Sequence, residues 1–232
     1  MNLGFGGYGL YLLFSLPALL LGFWAQIKVK GAIQKYSKVR TITGYSGSDI
    51  ARRMLDSNGL NEVKIEETRG FLSDHYDPRP KTLRLSPENF RGNSVAAAGI
   101  AAHEAGHALQ HQEEYFPLKI RTAMVPSVQI GSWLGPIIFI GGLLLNWVEI
   151  AWVGVFLFGA TAIFALVTLP VEFNASNRAI AWLSTSGMIY QDENKGVKSV
   201  LDAAALTYVA GAIQAISTLL YYVFLLSGSR RR

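Results

Sequence analysis

The sequence predicts a mostly helical α+β membrane protein, with about four transmembrane helices and a polar domain that contains a small β-sheet. Three observations predict it. The 232-residue chain is half hydrophobic and only 16% charged. No Asp, Glu, Lys or Arg occurs in 1–27, 122–148, 150–171 or 203–228. Nearly all the polar sequence falls into two blocks, about Gln26–Arg121 and about Glu172–Asp202. The length alone would allow one globular domain or a small membrane bundle. Each uncharged stretch exceeds the roughly 20 residues that cross a hydrocarbon core as a helix. A soluble core helix of that length would carry a charged face, and none of these does.

In chain order, 1–27 is expected to be the first transmembrane helix. A cleaved signal peptide also opens on an apolar run, but this one lacks a basic start and a small-residue cleavage site. Trp24, Lys28 and Lys30 suit an interfacial anchor, which favours a retained helix. A polar domain over 28–121 follows. In it Ser46–Ser57 reads as a short helix with Ile50, Met54 and Leu55 on one face and Gly59 as its stop. The period then changes: Val63 and Ile65 alternate with polar residues, and Thr82–Leu85 follows the turn-forming Asp77-Pro78-Arg79-Pro80, so two short strands are expected. A helix should begin after Ser94 as N-cap and run from Val95 to His111 through an alanine-rich stretch. Next come a transmembrane hairpin over 122–171, a helix and connector over 172–202, a fourth transmembrane helix over 203–228 and a basic tail, 229–232. There is no repeat or low-complexity tract.

The composition also excludes. With no cysteine there is no disulfide and no thiolate metal site, so any metal must use histidine and carboxylate. The net charge of +5 is spread near membrane ends or mixed with acids, which leaves no nucleic-acid footprint.

The chemistry sits at His103-Glu104-Ala105-Gly106-His107. Residues four apart share a helix face, so His103 and His107 can both point an imidazole nitrogen at one ion. Glu104 neighbours the first ligand without competing for the metal, and is placed to take a proton from a water there, as a general base in peptide hydrolysis. Two histidines on an Ala-rich helix can also be plain core or surface residues, although burying two imidazoles and a carboxylate without a partner is costly. A catalytic Zn2+ needs a third protein ligand and an open position. His111 lies about 12 Å along the helix from His103, too far to share an ion. His75 would have to fold over from the strand and turn region. Glu172 is the better candidate, because a hairpin over 122–171 returns the chain to the membrane face it left. As an interfacial carboxylate or a partner of Arg178 it would have a structural reading instead.

These motifs resemble the membrane gluzincins, and more closely the YugP-type family of neutral zinc metallopeptidases, distantly similar to the HtpX and Ste24 peptidases. The likeness is carried by Leu72-Ser-Asp-His-Tyr-Asp-Pro, Leu83-Arg-Leu-Ser-Pro, Val95–Gln110, Val171-Glu-Phe-Asn-Ala-Ser-Asn-Arg-Ala and Ala203-Ala-Ala-Leu-Thr-Tyr-Val-Ala. It implies a zincin-like metallopeptidase domain over 28–121, a third-ligand helix within 172–202, and a zinc-dependent endopeptidase. His103, His107 and Glu172 would be the ligands, with Glu104 as catalytic base. In the HtpX and Ste24 pattern an aspartate follows the glutamate by four residues and orients a ligand histidine. Here that position is Ser176, which can hold a ring N–H but not polarise it as a carboxylate does. Asn174 or Asn177 could substitute.

For the oxyanion, Arg178, His75 and Tyr208 are candidates by chemistry, and a structural role fits each of them as well. The strand around Thr82–Leu85 could pair with an extended peptide. The expected partners are a peptide or protein substrate, membrane proteins among the candidates, and the lipid bilayer. Lys28, Lys30, Lys35, Lys38, Lys119 and Arg121 flank the polar domain, which places that face in the cytoplasm of a multi-pass cell-membrane protein. Arg230-Arg231-Arg232 disagrees, unless 203–228 does not cross fully. Two other readings stay open: a site-2-type intramembrane protease, which would want an aspartate within an apolar segment where none is found, and a non-catalytic scaffold or chaperone with a structural zinc, which would want a fourth ligand.

Overall fold

The computed structural model describes residues 5–70 and 72–229; Arg230-Arg231-Arg232 of the basic tail and the first four residues of the first apolar stretch lie outside the described residues. The elements run α1 (Phe5–Tyr36), α2 (Gly47–Ser57), β1 (Lys64–Glu67), β2 (His75–Asp77), β3 (Thr82–Leu85), α3 (Pro87–Phe90), α4 (Val95–Gln112), α5 (Phe116–Leu144), α6 (Val148–Thr185) and α7 (Gln191–Ser229). The protein is mostly helical, with one three-stranded sheet. Among the described residues, four helices are long and apolar enough to cross a membrane: Leu12–Tyr36, Phe116–Leu144, Val148–Thr185 and Gln191–Gly228.

The chain forms two compact units. One takes the chain up to Ala25, Ile120–Leu169 and the chain from Thr207. Here α5 and α6 meet backbone to backbone. A Cβ on Gly135 would lie 2.9 Å from the Phe158 nitrogen, one on Gly142 would lie 2.8 Å from the Ala151 Cα, and one on Gly154 would meet the Phe139 backbone. Between apolar helices in lipid, such close approach supplies the packing that hydrophobicity cannot. Phe139 then stacks on Tyr222 of α7 at 3.9 Å between ring centres, beside the buried Leu226.

The other unit takes Gln26–Lys119 and Pro170–Leu206. Ser46 caps α2: its hydroxyl accepts from the Asp49 backbone N–H at 3.1 Å, and the Asp49 carboxylate accepts from the Ser46 backbone N–H at 3.0 Å. Ile50, Met54 and Leu55 then face inward and are fully buried, as their spacing predicts. Gly59 ends the turn at φ +75°, where a side chain would be strained. The sheet has the order β1-β3-β2, with β1 parallel and β2 antiparallel to β3.

Two expectations change here. There are three strands, not two: β2 is only three residues long and shows no alternation of its own, and it is defined by pairing with β3. Thr82–Leu85 is moreover the central strand. Its backbone is paired on both sides, so the open edges belong to β1 and β2, and a peptide cannot add to β3.

Leu83 and Leu85 of β3 pack with α2 and with the alanine face of α4, whose Ser94 accepts from the Ala97 N–H at 3.1 Å. A second difference concerns α6. It runs unbroken from Val148 to Thr185 through Pro170, so Glu172 sits within a continuous helix rather than at the start of a new one. A proline in such a helix removes one backbone hydrogen bond without ending it, where neighbouring groups take up the freed carbonyl.

Candidate metal centre

Helix α4 sets the histidines one turn apart on one face, and α6 brings the glutamate to them. Gly106 makes the approach possible: a Cβ there would lie 2.8 Å from the Ala175 carbonyl oxygen, so the two backbones touch. His103 Nε2 lies 3.3 Å and His107 Nε2 3.6 Å from Glu172 Oε2. The three side chains are 14%, 11% and 3% exposed. Their ligand atoms all fall within 4.8 Å of one another, and they could hold a metal ion.

Two tests of fit use this chain's own geometry. Two donors each about 2.0–2.1 Å from a tetrahedral ion stand about 3.3–3.4 Å apart, close to the two separations found. The second test is the far nitrogen of each ring. His107 Nδ1 faces Gln110 Oε1 at 2.9 Å, and His103 Nδ1 faces Ser176 Oγ at 3.1 Å. A histidine that ligates through Nε2 normally gives its Nδ1–H to such a partner. The donor set, two imidazoles and a carboxylate, suits zinc.

Glu104 is buried beside this cluster. Burial pushes its carboxyl above the usual carboxylate range, and the nearby Glu172 and Asp74 add to the rise while the two imidazoles oppose it. Burial lowers His107, but the Glu172 hydrogen bond and the Glu104 charge outweigh it and leave the imidazole raised.

A family described as "Putative neutral zinc metallopeptidase" matches residues 11–227. The chain belongs to this family. It is 46% identical over 221 residues, 95% of this chain and 98% of the other, to the Bacillus subtilis (strain 168) protein named "Putative membrane protease YugP". No solved structure matches the chain. This member of the neutral zinc metallopeptidase family is a membrane protein, and the His103, His107 and Glu172 cluster is its candidate zinc site.

The other residues singled out in the sequence fall differently. Ser176 is the partner of His103, whereas Asn177 is exposed. His75 is exposed on β2, bonded through Nδ1 to the Ser73 carbonyl at 2.7 Å, and outside the cluster. Arg178 donates to both oxygens of Glu113 at 2.7 Å and to Asn174 Oδ1 at 2.7 Å, so its guanidinium is held by this chain. That contact keeps the Glu113 carboxyl below its usual range. Tyr208 belongs to the other compact unit. His111 bonds through Nδ1 to the Tyr76 hydroxyl at 3.0 Å. Burial pushes the Tyr76 phenol up to about 12, with Glu62 and Asp77 adding to the rise. Gln110, fully buried against His107, was not singled out in the sequence. Its only signal there is its place three residues after His107, on the same helix face.

Proposed function

We propose that this chain is a membrane-embedded zinc-dependent endopeptidase, with His103, His107 and Glu172 as the Zn2+ ligands and Glu104 as general base. The observation that carries the reading is the convergence of three ligand atoms from α4 and α6 within 4.8 Å of one another, next to a buried carboxylate. Three protein ligands are the complement of a catalytic site, which keeps one position open. When bound, the ion supplies Lewis acidity toward water and toward a peptide carbonyl.

The rest belongs to the chain. His107 presents a bare Nε2 when neutral, because its Nδ1–H is given to Gln110 Oε1, and His103 does the same where its Nδ1–H is given to Ser176 Oγ. Glu104 accepts the proton of the attacking water on its carboxylate and returns it to the leaving amine nitrogen. Burial of the site keeps competing water away from these groups. An extended peptide substrate pairs with the open edge of β2, the strand tied to α4 by the Tyr76–His111 hydrogen bond. The substrates are peptides or proteins, membrane proteins included. The lysines and arginines that flank the polar domain support a site on the cytoplasmic face of the cell membrane.

The test compares purified wild-type protein with Glu104→Gln for zinc content and for peptide cleavage. The expected result is stoichiometric zinc in both, with cleavage lost by a factor of 100 or more in the variant, about the contribution of a general base. Zinc in both with equal cleavage, or with none in either, would overturn the enzyme reading.

A further inference from the structure

Gln110 is fully buried, so every polar atom of its amide has to find a partner inside the protein. All of them do. Its Nε2 donates one hydrogen to the Val171 carbonyl at 2.8 Å and the other to Asn174 Oδ1 at 2.9 Å. That leaves Oε1, an acceptor only, facing His107 Nδ1 at 2.9 Å. The amide cannot flip, because Oε1 would then face two carbonyl oxygens.

Asn174 is fixed in the same way. Its Oδ1 also accepts from Arg178 Nε at 2.7 Å, and a guanidinium can only donate. Arg178 in turn is gripped by both oxygens of Glu113, in the turn that ends α4. The bonds converge on Asn174 Oδ1, which accepts from both Arg178 Nε and Gln110 Nε2, so Glu113 and Arg178 fix Asn174, Asn174 fixes the Gln110 amide, and the amide turns its oxygen to the imidazole.

We propose that Gln110 is a positioning residue for the metal centre. Its carbonyl oxygen holds His107 as the Nδ1–H tautomer, with Nε2 bare toward Glu172. Its amide nitrogen ties α4 to the α6 backbone at Val171, the residue before Glu172. One side chain thus sets a ring on one helix and the backbone beside a carboxylate on the other. The other histidine is held less strictly, since Ser176 Oγ can either donate to or accept from His103 Nδ1. The inference rests on the metal reading above for its consequence, zinc affinity, but not for the tautomer itself.

The experiment uses the full chain in detergent micelles, with imidazole nitrogens labelled with 15N. The metal-free protein is observed by NMR at rising pH until the His107 nitrogen signals stop moving, so that the neutral ring is the one read. The His107 signal is assigned among the four histidines by its loss in His107→Gln. Wild-type protein should show His107 with its proton on Nδ1. A wild-type ring protonated on Nε2, or an even mixture, overturns the proposal, and that measurement needs no variant to fold.

Gln110→Met should release the ring to a mixture of tautomers. It should also weaken zinc binding, read by competition with a chromophoric chelator, by about 10- to 100-fold. Folded Gln110→Met protein with the wild-type tautomer and wild-type zinc affinity overturns the proposal. A wild-type protein that binds no zinc sinks the metal reading instead, while its His107 tautomer still decides the role of Gln110.

Discussion

Replacing Gly106 by alanine adds one carbon at the point where α4 and α6 touch. The new Cβ would lie 2.8 Å from the Ala175 carbonyl oxygen and 3.3 Å from the Ala175 Cα, both backbone atoms that cannot rotate away. Restoring an ordinary contact of 3.4 Å requires the helices to separate locally by roughly 0.6 Å. Two terms then oppose each other. Overpacking of this kind costs about 1–3 kcal/mol. Alanine is favoured over glycine inside a helix by about 1 kcal/mol. The net is a destabilisation of about 0–2 kcal/mol, too small to prevent folding.

The effect on the metal site should be larger. Glu172 lies one turn before Ala175 on α6 and moves with it, whereas the histidines stay with α4. Zinc sites tolerate deviations of only about 0.2 Å in ligand distance, so a shift of this size should weaken zinc binding on the order of tenfold or more. The assay is chelator competition for zinc together with thermal unfolding in detergent. Gly31→Ala in α1, where nothing lies within 4 Å of the added carbon, serves as the control and should leave zinc binding unchanged while stabilising the fold by about 1 kcal/mol. Gly106→Ala protein that binds zinc within twofold of wild type would refute the reasoning that backbone contact sets the position of Glu172.

Two further outcomes follow from the same geometry. Ser176→Ala removes the hydroxyl 3.1 Å from His103 Nδ1 and should weaken zinc binding about tenfold, the low end for such partners because the hydroxyl is neutral; unchanged affinity in competition titrations would mean the hydroxyl does not hold the ring. The Tyr76 phenol is raised to about 12 from an ordinary value near 10, so the stability it contributes is fully present below about pH 10 and is lost as pH rises through about 12. The difference in tyrosinate absorbance between wild type and Tyr76→Phe should therefore titrate near 12 rather than 10, and the wild-type thermal midpoint should fall more steeply over that interval; a difference titrating at about 10 would contradict the burial of this phenol.

Much of the fold was legible because it rests on local rules. Charge-free runs long enough to span a bilayer identify themselves, and four apolar helices of sufficient length are present. Ser46 and Ser94 mark helix starts through hydrogen bonds three residues on, which spacing alone reveals. The pairing of His103 with His107 is equally local, a consequence of 3.6 residues per turn. Strand β2 was not legible, because three residues acquire strand character only from the partner beside them. Nor was the central place of β3, since strand order depends on how distant segments pair.

The site divides along the same line. The sequence by itself determined the two histidines, the neighbouring acid and the absence of cysteine ligands, because helix period and composition settle these without knowledge of the fold. It narrowed the third ligand to a few candidates. Only the tertiary structure decided that Glu172 stands 3.3 and 3.6 Å from the imidazoles while His75 and His111 are engaged elsewhere. Only it joined Gln110 to Asn174, 64 positions away, and through it to the Arg178–Glu113 pair. The physical reason is the reach of each interaction. A helix fixes neighbours four residues apart through its own backbone, whereas hydrogen bonds between α4 and α6 exist only once Gly106 has let the two backbones meet.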